Sequence, residues 1–358
     1  FFLKLAYFCC NIATGWYDWH MNKKAKGRPR IVIIFTGGTI AMKADRQKGG
    51  TVPSLKGRDL IAQVPGISRL AAVKVHDFGQ YPGPHMTPAL MLDLSRLVQR
   101  YLSQKDICGA IVTHGTDTLE ETAFLLDLCL DTRKPVVVVG AMKDCTELGW
   151  DGPANLMGAA RTTVSPEARN KGVLVFLNNT INSAGEVTKT STDSFETFRS
   201  PDLGPLGWVD QDRVLFYRQP LYREHHPVRQ IEPRVELFKM AVGMDDRLIR
   251  YAVDSGAKGL VIEGMGRGNV PPSVVPGIEY AISQDLPVVL CSRCIGGRVL
   301  GTYAYEGGGA QLRKVGVILG GHLPGQKARI KLMVLLGRGL RGDRIKEAFE
   351  CIEYSCIG

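Results

Sequence analysis

The sequence predicts an α/β protein of two domains, a larger mostly parallel sheet covered by helices and a smaller C-terminal α/β domain. Three observations carry this. From Ile31 onward, short β-branched runs alternate with stretches whose apolar residues recur at helical spacing, the pattern of a parallel sheet covered on both faces. At 358 residues and 44% hydrophobic content the chain is long enough for two cores, at roughly 150 residues each. The alternation also breaks once, between Pro201 and Pro233, and then resumes.

Residues 31–36 and 71–78 are the first expected strands, followed by 109–113, 135–140 and 173–178. Between them, residues 88–102 carry apolar positions at Leu90, Leu94, Leu97, Val98 and Tyr101, one face of a helix. Residues 119–130 are apolar on a helical period, with Glu120 and Glu121 in the first turn, where acids favour a helix N-terminus. Residues 201–233 mix prolines, charges and the pair His225 and His226, and read as a linker with at most one hairpin. Beyond it come a helix over 245–255, a strand over 259–263, a helix over 274–284, a strand over 287–291 and a closing helix over 342–354. The expected division is a tail over 1–28, a large N-terminal domain over 29–210, a linker over 211–234 and a small domain over 235–358. In such sheets ligands bind beyond the carboxyl ends of the strands, so the loops after Phe35, Val112 and Val139 are where chemistry is expected.

Composition removes several function classes. No apolar run approaches the roughly 18 to 20 residues of a bilayer span, and mean hydropathy is close to zero. The formal charge is +10, from 45 Lys and Arg against 35 Asp and Glu. Half of that excess lies in residues 1–30, where Lys4, Lys23, Lys24, Lys26, Arg28 and Arg30 face a single acid, Asp18. No helix-turn-helix, RNP-like stretch or paired zinc ligands accompany it, so no nucleic-acid partner is expected. The first twenty residues make a poor signal peptide, with no basic region before the apolar stretch and no small-x-small site after it, and Met21 is the expected native start. Of nine cysteines, Cys291 and Cys294 form a CxxC after an apolar run. No second pair and no nearby His completes a zinc set, so they read as two reduced thiols at a strand end, with a redox pair as the alternative, which favours a reducing cytoplasm.

Two loops stand out. The first strand runs into Thr36, Gly37, Gly38, Thr39, Ile40 and Ala41. A glycine pair there lets the backbone turn sharply and aims N–H groups and a hydroxyl into the crevice, suiting a phosphate or a reacting carbonyl. The phosphate alternative lacks the third glycine of a dinucleotide fingerprint and the Gly-Lys-Ser/Thr of a P-loop. The second loop reads His114, Gly115, Thr116, Asp117 and Thr118 at another strand's carboxyl end. A hydroxyl beside a carboxylate can activate water or hold an amino group, while plain helix capping also accounts for these threonines. A hydroxyl nucleophile needs a base, and Lys189, alone among Val187, Thr188, Thr190, Ser191 and Thr192, is the candidate against an ordinary surface lysine.

These stretches, TGGTIA, THGTDTLEETAFLLDL, VGAM, DGPANL and EVTKTST, resemble the bacterial-type L-asparaginase family in order and spacing from Ile31 to about Leu336. The resemblance implies an asparaginase-like fold, a homotetramer built from intimate dimers, and hydrolysis of a side-chain amide to carboxylate and ammonia without a cofactor or metal. Carried onto matching positions, it makes Thr39 the nucleophile of an acyl-enzyme and groups Thr116 with Lys189 and Asp117. It gives Asp117 the substrate's α-ammonium, and Gly38, Gly115, Thr116 and Ala141 a backbone role around the reacting amide.

The departures are specific. The family's loop tyrosine is missing, since Gly49 to Pro53 holds none and the next tyrosine is Tyr81. Gly83 and Pro84 stand where the family carries a polar pair that grips the substrate's α-carboxylate. Arg267 falls where a neighbouring subunit would supply an Asn, and a bidentate guanidinium there would restore the carboxylate contact. Glu306 is the matching acid, with Tyr303 or Tyr305 as stand-ins for the lost tyrosine. Two other readings are an amide-releasing subunit of a tRNA-dependent amidotransferase, for which residues 1–30 are too short to form the extra domain, and a non-catalytic amino-acid-binding relative. Retention of Thr39, Thr116, Asp117 and Lys189 together argues against the last.

Overall fold

A computed structural model of the chain describes residues 27–350 apart from positions 212 and 222. The expectation for Met21, and the last residues of the closing helix, lie outside the described residues. Strand β1 (Arg30–Gly37) is buried almost throughout, and its alternation feeds two cores. Ile31, Ile33 and Phe35 enter one cluster, Val32 and Ile34 the other. A run apolar at every position is the mark of a strand covered on both faces. A hairpin follows, β2 (Met42–Asp45) with β3 (Gly50–Pro53), then the short helices α1 (Gly57–Ala62) and α2 (Ile67–Leu70), and β4 (Ala72–Tyr81). Helix α3 (Pro88–Leu102) begins on Thr87, whose hydroxyl accepts the Leu90 N–H, with Pro88 at the first helical position where its missing N–H costs nothing. Next come β5 (Ile107–Thr113), α4 (Leu119–Cys129), β6 (Val136–Val139), α5 (Gly152–Val164), β7 (Val173–Leu177) and β8 (Thr180–Ser183). Two-residue strands β9 (Thr188–Lys189) and β10 (Phe198–Arg199) pair with each other. Strands β11 (Gly207–Asp210) and β12 (Arg213–Phe216) close the unit.

The large sheet runs β12-β11-β8-β7-β6-β5-β1-β4. Strands β4, β1, β5, β6 and β7 are parallel, and β8, β11 and β12 extend the sheet antiparallel. The chain leaves β1 for β4 on one side and returns to β5 on the other. That reversal is the switch point at which a crevice opens. Helices α2 and α5 lie over one face and α3 and α4 over the other.

The hairpin anticipated after Pro201 is β11 and β12, and it belongs to the sheet. The division at 210 therefore falls in its turn, and the extended connector begins only after Phe216. The second sheet is β13 (Val235–Lys239), β14 (Gly259–Gly264), β15 (Val288–Ser292) and β16 (Ile318–Leu319), all parallel. Around it lie α6 (Arg247–Asp254), α7 (Val275–Ser283), α8 (Gly309–Val315), α9 (Gly325–Gly337) and α10 (Asp343–Glu350). Helix α9 joins the units: a core of Met91, Phe124, Leu125 and Leu128 from the large unit continues into Val261, Val289, Ala328 and Leu332 of the small one.

Candidate active site

The site is built by backbone before any side chain acts. Gly37 and Gly38 hold φ of 104° and 82°, the left-handed region in which an L side chain is strained. A Cβ on Gly38 would lie 2.3 Å from the Gly115 nitrogen, and one on Gly115 would lie 2.8 Å from the Gly83 nitrogen. The loops after β1, β5 and β4 therefore touch through three glycines. Thr36 Oγ1 donates to the Thr113 carbonyl at 2.7 Å, and Thr118 Oγ1 to the Gly83 carbonyl at 2.8 Å, locking the stack at both ends. Thr39 opens a single 3₁₀ turn over Thr39–Ala41, anchored by buried Ile40 and Ala41, with its own side chain half-buried.

Thr116 follows Gly115 and is buried. Lys189 reaches it from β9: its Nζ donates to Thr116 Oγ1 at 2.9 Å and to Asp117 Oδ1 at 2.7 Å. The lysine side chain is 16% exposed and Asp117 61%, so the carboxylate stays open to a second cation. Glu120, in the first turn of α4, accepts the Thr188 hydroxyl and the Lys189 N–H through Oε1 at 3.1 and 3.2 Å. The helix-capping acid of the sequence is thus also the anchor for the lysine's backbone, a role with no sequence signal beyond its place in the motif.

His114 lies wholly inside the loop base. Its Nδ1 faces the Gly115 carbonyl at 2.8 Å and its Nε2 the Thr122 hydroxyl at 2.8 Å. A carbonyl only accepts, so the proton sits on Nδ1 and Nε2 accepts from Thr122. Burial drives its pKa down to about 4, the bond to Gly115 offsetting part of the effect, and the ring is neutral at pH 7.

Ala141 is fully buried, and a Cβ on the preceding Gly140 would sit 3.0 Å from Thr116 Cγ2. The segment after β6 is held by the start of α5. Asp151 accepts the Met142 and Lys143 N–H groups at 3.0 to 3.1 Å. Asn155 donates to the Gly140 carbonyl at 3.1 Å and to Asp151 at 2.8 Å. This gives a purpose to the DGPANL stretch, which the sequence marked without assigning its residues.

Gly38, Gly83, Gly115, Thr116, Asp117, Ala141 and Lys189 are thus brought together, with Thr39 beside them and Pro84 exposed on the turn Gly83–His85, whose Gly83 is buried. Arg267 and Glu306 lie elsewhere, exposed on small-unit loops tied to one another by Leu300 N–H to Arg267 C=O at 3.0 Å and Val270 N–H to Gly307 C=O at 2.9 Å. Among the described residues neither bonds to Thr39, Thr116 or Asp117. Tyr303 and Tyr305 share that loop, stacked at 5.5 Å and exposed. Of the CxxC pair, Cys291 is buried with its thiol pushed up by burial while Cys294 is exposed, and neither is in a disulfide.

Two family models match in sequence order: an asparaginase N-terminal domain over residues 30–222 and a glutaminase/asparaginase C-terminal domain over 234–349. The chain belongs to the asparaginase family. It is 36% identical to the L-asparaginase of Bacillus licheniformis over 329 residues, covering 92% of this chain and 99% of that one. It is 38% identical to a probable L-asparaginase of Deinococcus radiodurans, covering 90% and 97%. The crystal structure of a probable cytoplasmic L-asparaginase from Campylobacter jejuni superposes with a TM-score of 0.80 at 32% identity, over 90% of this chain and 99% of that one. A periplasmic relative in Haemophilus influenzae is 32% identical. Among the described residues no helix is long and apolar enough to cross a membrane.

Proposed function

We propose that this member of the asparaginase family hydrolyses the side-chain amide of L-asparagine, or a close analogue, to the acid and ammonia through a threonine acyl-enzyme. The observation that carries the reading is the hydrogen bond from Lys189 Nζ to Thr116 Oγ1 at 2.9 Å, on a loop pressed through Gly115 against the one that bears Thr39. Thr39 Oγ attacks the amide carbon and its proton passes to the leaving nitrogen, which departs as ammonia. A water then attacks the ester and returns the proton to Thr39. A threonine hydroxyl is a weak nucleophile at neutral pH and needs such a relay. Thr116 and Lys189 supply it, and Asp117 balances the lysine's charge while its exposed oxygen takes the substrate's α-ammonium. Backbone N–H groups near Thr116 and Ala141 receive the carbonyl oxygen, held still by Asp151 and Asn155.

Arg267 and Glu306 fit this reading as contributions from a second copy, because they are exposed and, among the described residues, bond to none of Thr39, Thr116 and Asp117 of their own chain. The working state is accordingly a homo-oligomer of intimate dimers, a tetramer in full, with Arg267 of the partner subunit meeting the substrate carboxylate where Gly83 and Pro84 offer no side-chain donor. A cytoplasmic setting fits the five described cysteines, all free thiols.

The test is ammonia release by the full chain from L-Asn, L-Gln, D-Asn and a peptide-like β-amide. Release from L-Asn that Thr39→Ala and Thr116→Ala each abolish is the expected result. A folded oligomer inert toward every amide would overturn it.

A further inference from the structure

Lys327, on α9 of the small unit, is fully buried although it is a lysine. Its Nζ donates to the carbonyls of Ala184 at 2.8 Å and Gly185 at 3.4 Å, and to that of Val187. These three residues belong to the turn joining β8 to β9, the strand that bears Lys189. The same ammonium lies 3.9 Å from Glu120 Oε2, an oxygen with no hydrogen-bond partner of its own among the described residues, and 5.8 Å from the Phe124 ring centre. The other oxygen of Glu120 holds the Thr188 hydroxyl and the Lys189 N–H. The turn and the strand it enters are thus held together, the turn's carbonyls by a buried cation and the Lys189 N–H of β9 by a buried anion, and the two charges neutralise each other.

Resting on the role proposed for Lys189, we infer that Lys327 is a positioning residue of the reaction: a strut from the small unit that sets where the Lys189 ammonium meets Thr116. The chemistry argues for more than stability. A buried ammonium is expensive, so one that satisfies three carbonyls of a single turn fixes that turn's backbone closely. Burial also lowers the pKa of Lys327 to about 8, against the pull of Glu120, Glu186, Asp127 and Glu121, which keeps it charged at neutral pH.

The experiment is a double-mutant cycle on the full chain, with Lys327→Met, Lys189→Met and the pair, read as kcat and KM for ammonia release, with thermal unfolding followed alongside. A misplacement near 1 Å at the reacting groups costs on the order of a hundredfold, so kcat of Lys327→Met is expected to fall about ten- to a hundredfold with KM little changed. The double variant should lose no more than Lys189→Met alone. Lys327→Gln, which keeps an N–H donor for the carbonyls, should recover part of kcat and covers the case in which the Met variant folds poorly. Losses that multiply in the double variant, or a Lys327→Met enzyme with native kcat, overturn the inference. A crystal structure of Lys327→Met separates the two readings. The Lys189 to Thr116 contact is expected to lengthen beyond 3.5 Å, and an unmoved Lys189 refutes the strut even if Lys189→Met itself proves active and the role of that lysine falls.

Discussion

Gly115→Ala tests the packing on which the site rests. Gly115 does not have a left-handed φ, so the substitution adds no backbone strain and acts by volume alone. The new Cβ would sit 2.8 Å from the Gly83 nitrogen, 2.9 Å from Gly83 Cα and 3.4 Å from Gly38 Cα. All three are backbone atoms and cannot rotate away. The nearest falls short of ordinary contact by about 0.6 Å, so one loop must retreat by that much. Overpacking of this kind costs about 1 to 3 kcal/mol of stability. The larger effect is on rate, since a shift of this size at reacting groups, scaled from a hundredfold per ångström, takes kcat down by about tenfold. Steady-state ammonia release with urea unfolding on the same preparation separates the two. Native kcat in a Gly115→Ala enzyme would falsify the argument that these loops are in rigid contact. Gly38→Ala, with its Cβ 2.3 Å from the Gly115 nitrogen and a φ of 82°, is expected to be worse on both measures.

Three further outcomes follow from the same geometry. His114 is neutral in the folded chain down to about pH 4 but takes a proton near its ordinary 6.5 when unfolded, so its contribution is whole above 6.5 and declines as pH falls toward 4. Asp127 and Glu121, raised by burial to about 6 and 7, act with opposite sign, so the readout is the Tm difference between wild type and His114→Gln, which should narrow from pH 7 to pH 4; a constant difference counts against it. Arg267→Ala should raise KM for L-Asn by about ten- to a hundredfold, the worth of a charged hydrogen bond, with kcat nearly unchanged, and an unaltered KM removes Arg267 from the site. Asn155→Ala strips bonds from Gly140, Asp151 and the Asn178 N–H, and should cost on the order of 2 kcal/mol in urea unfolding; a loss below about 0.5 kcal/mol says the loop holds itself.

Strands β1, β5, β6, β7, β14 and β15 were legible as nearly unbroken apolar runs, β13 with its Glu236 and Lys239 and the two-residue β16 were not, and α3 was legible because Leu90, Leu94, Leu97, Val98 and Tyr101 mark one face. Helix α9 was not, and its two interior lysines explain the miss. Lys327 and Lys331 break any apolar stripe, yet both are buried, the second paired with Glu224 at 2.7 Å and the Ala348 carbonyl. Helix α5 escaped notice for the opposite reason: its face is made of small residues, and Gly158 gives room to the Phe176 ring, which a Cβ there would meet at 2.1 Å. At the site, threonines, lysine and aspartate were visible as motif residues. Among their supports, Glu120, Asp151 and Asn155 lay in quoted motifs without a role and Lys327 in none, because what a residue orients is set only once the chain is folded.

Adjacency of β1 and β5 bears on how far such a site can be altered. Their residues pair in register from Ile31 to Phe35, so the two threonine-bearing loops leave the sheet from rails about 4.8 Å apart, a spacing common to all sheets. No change in the surrounding hairpins moves those rails. Substrate range is therefore open to loop grafting at the β2 and β3 hairpin, while the Gly83 turn, packed on Gly115, and the gap between the two hydroxyl-bearing loops stay outside a loop designer's reach.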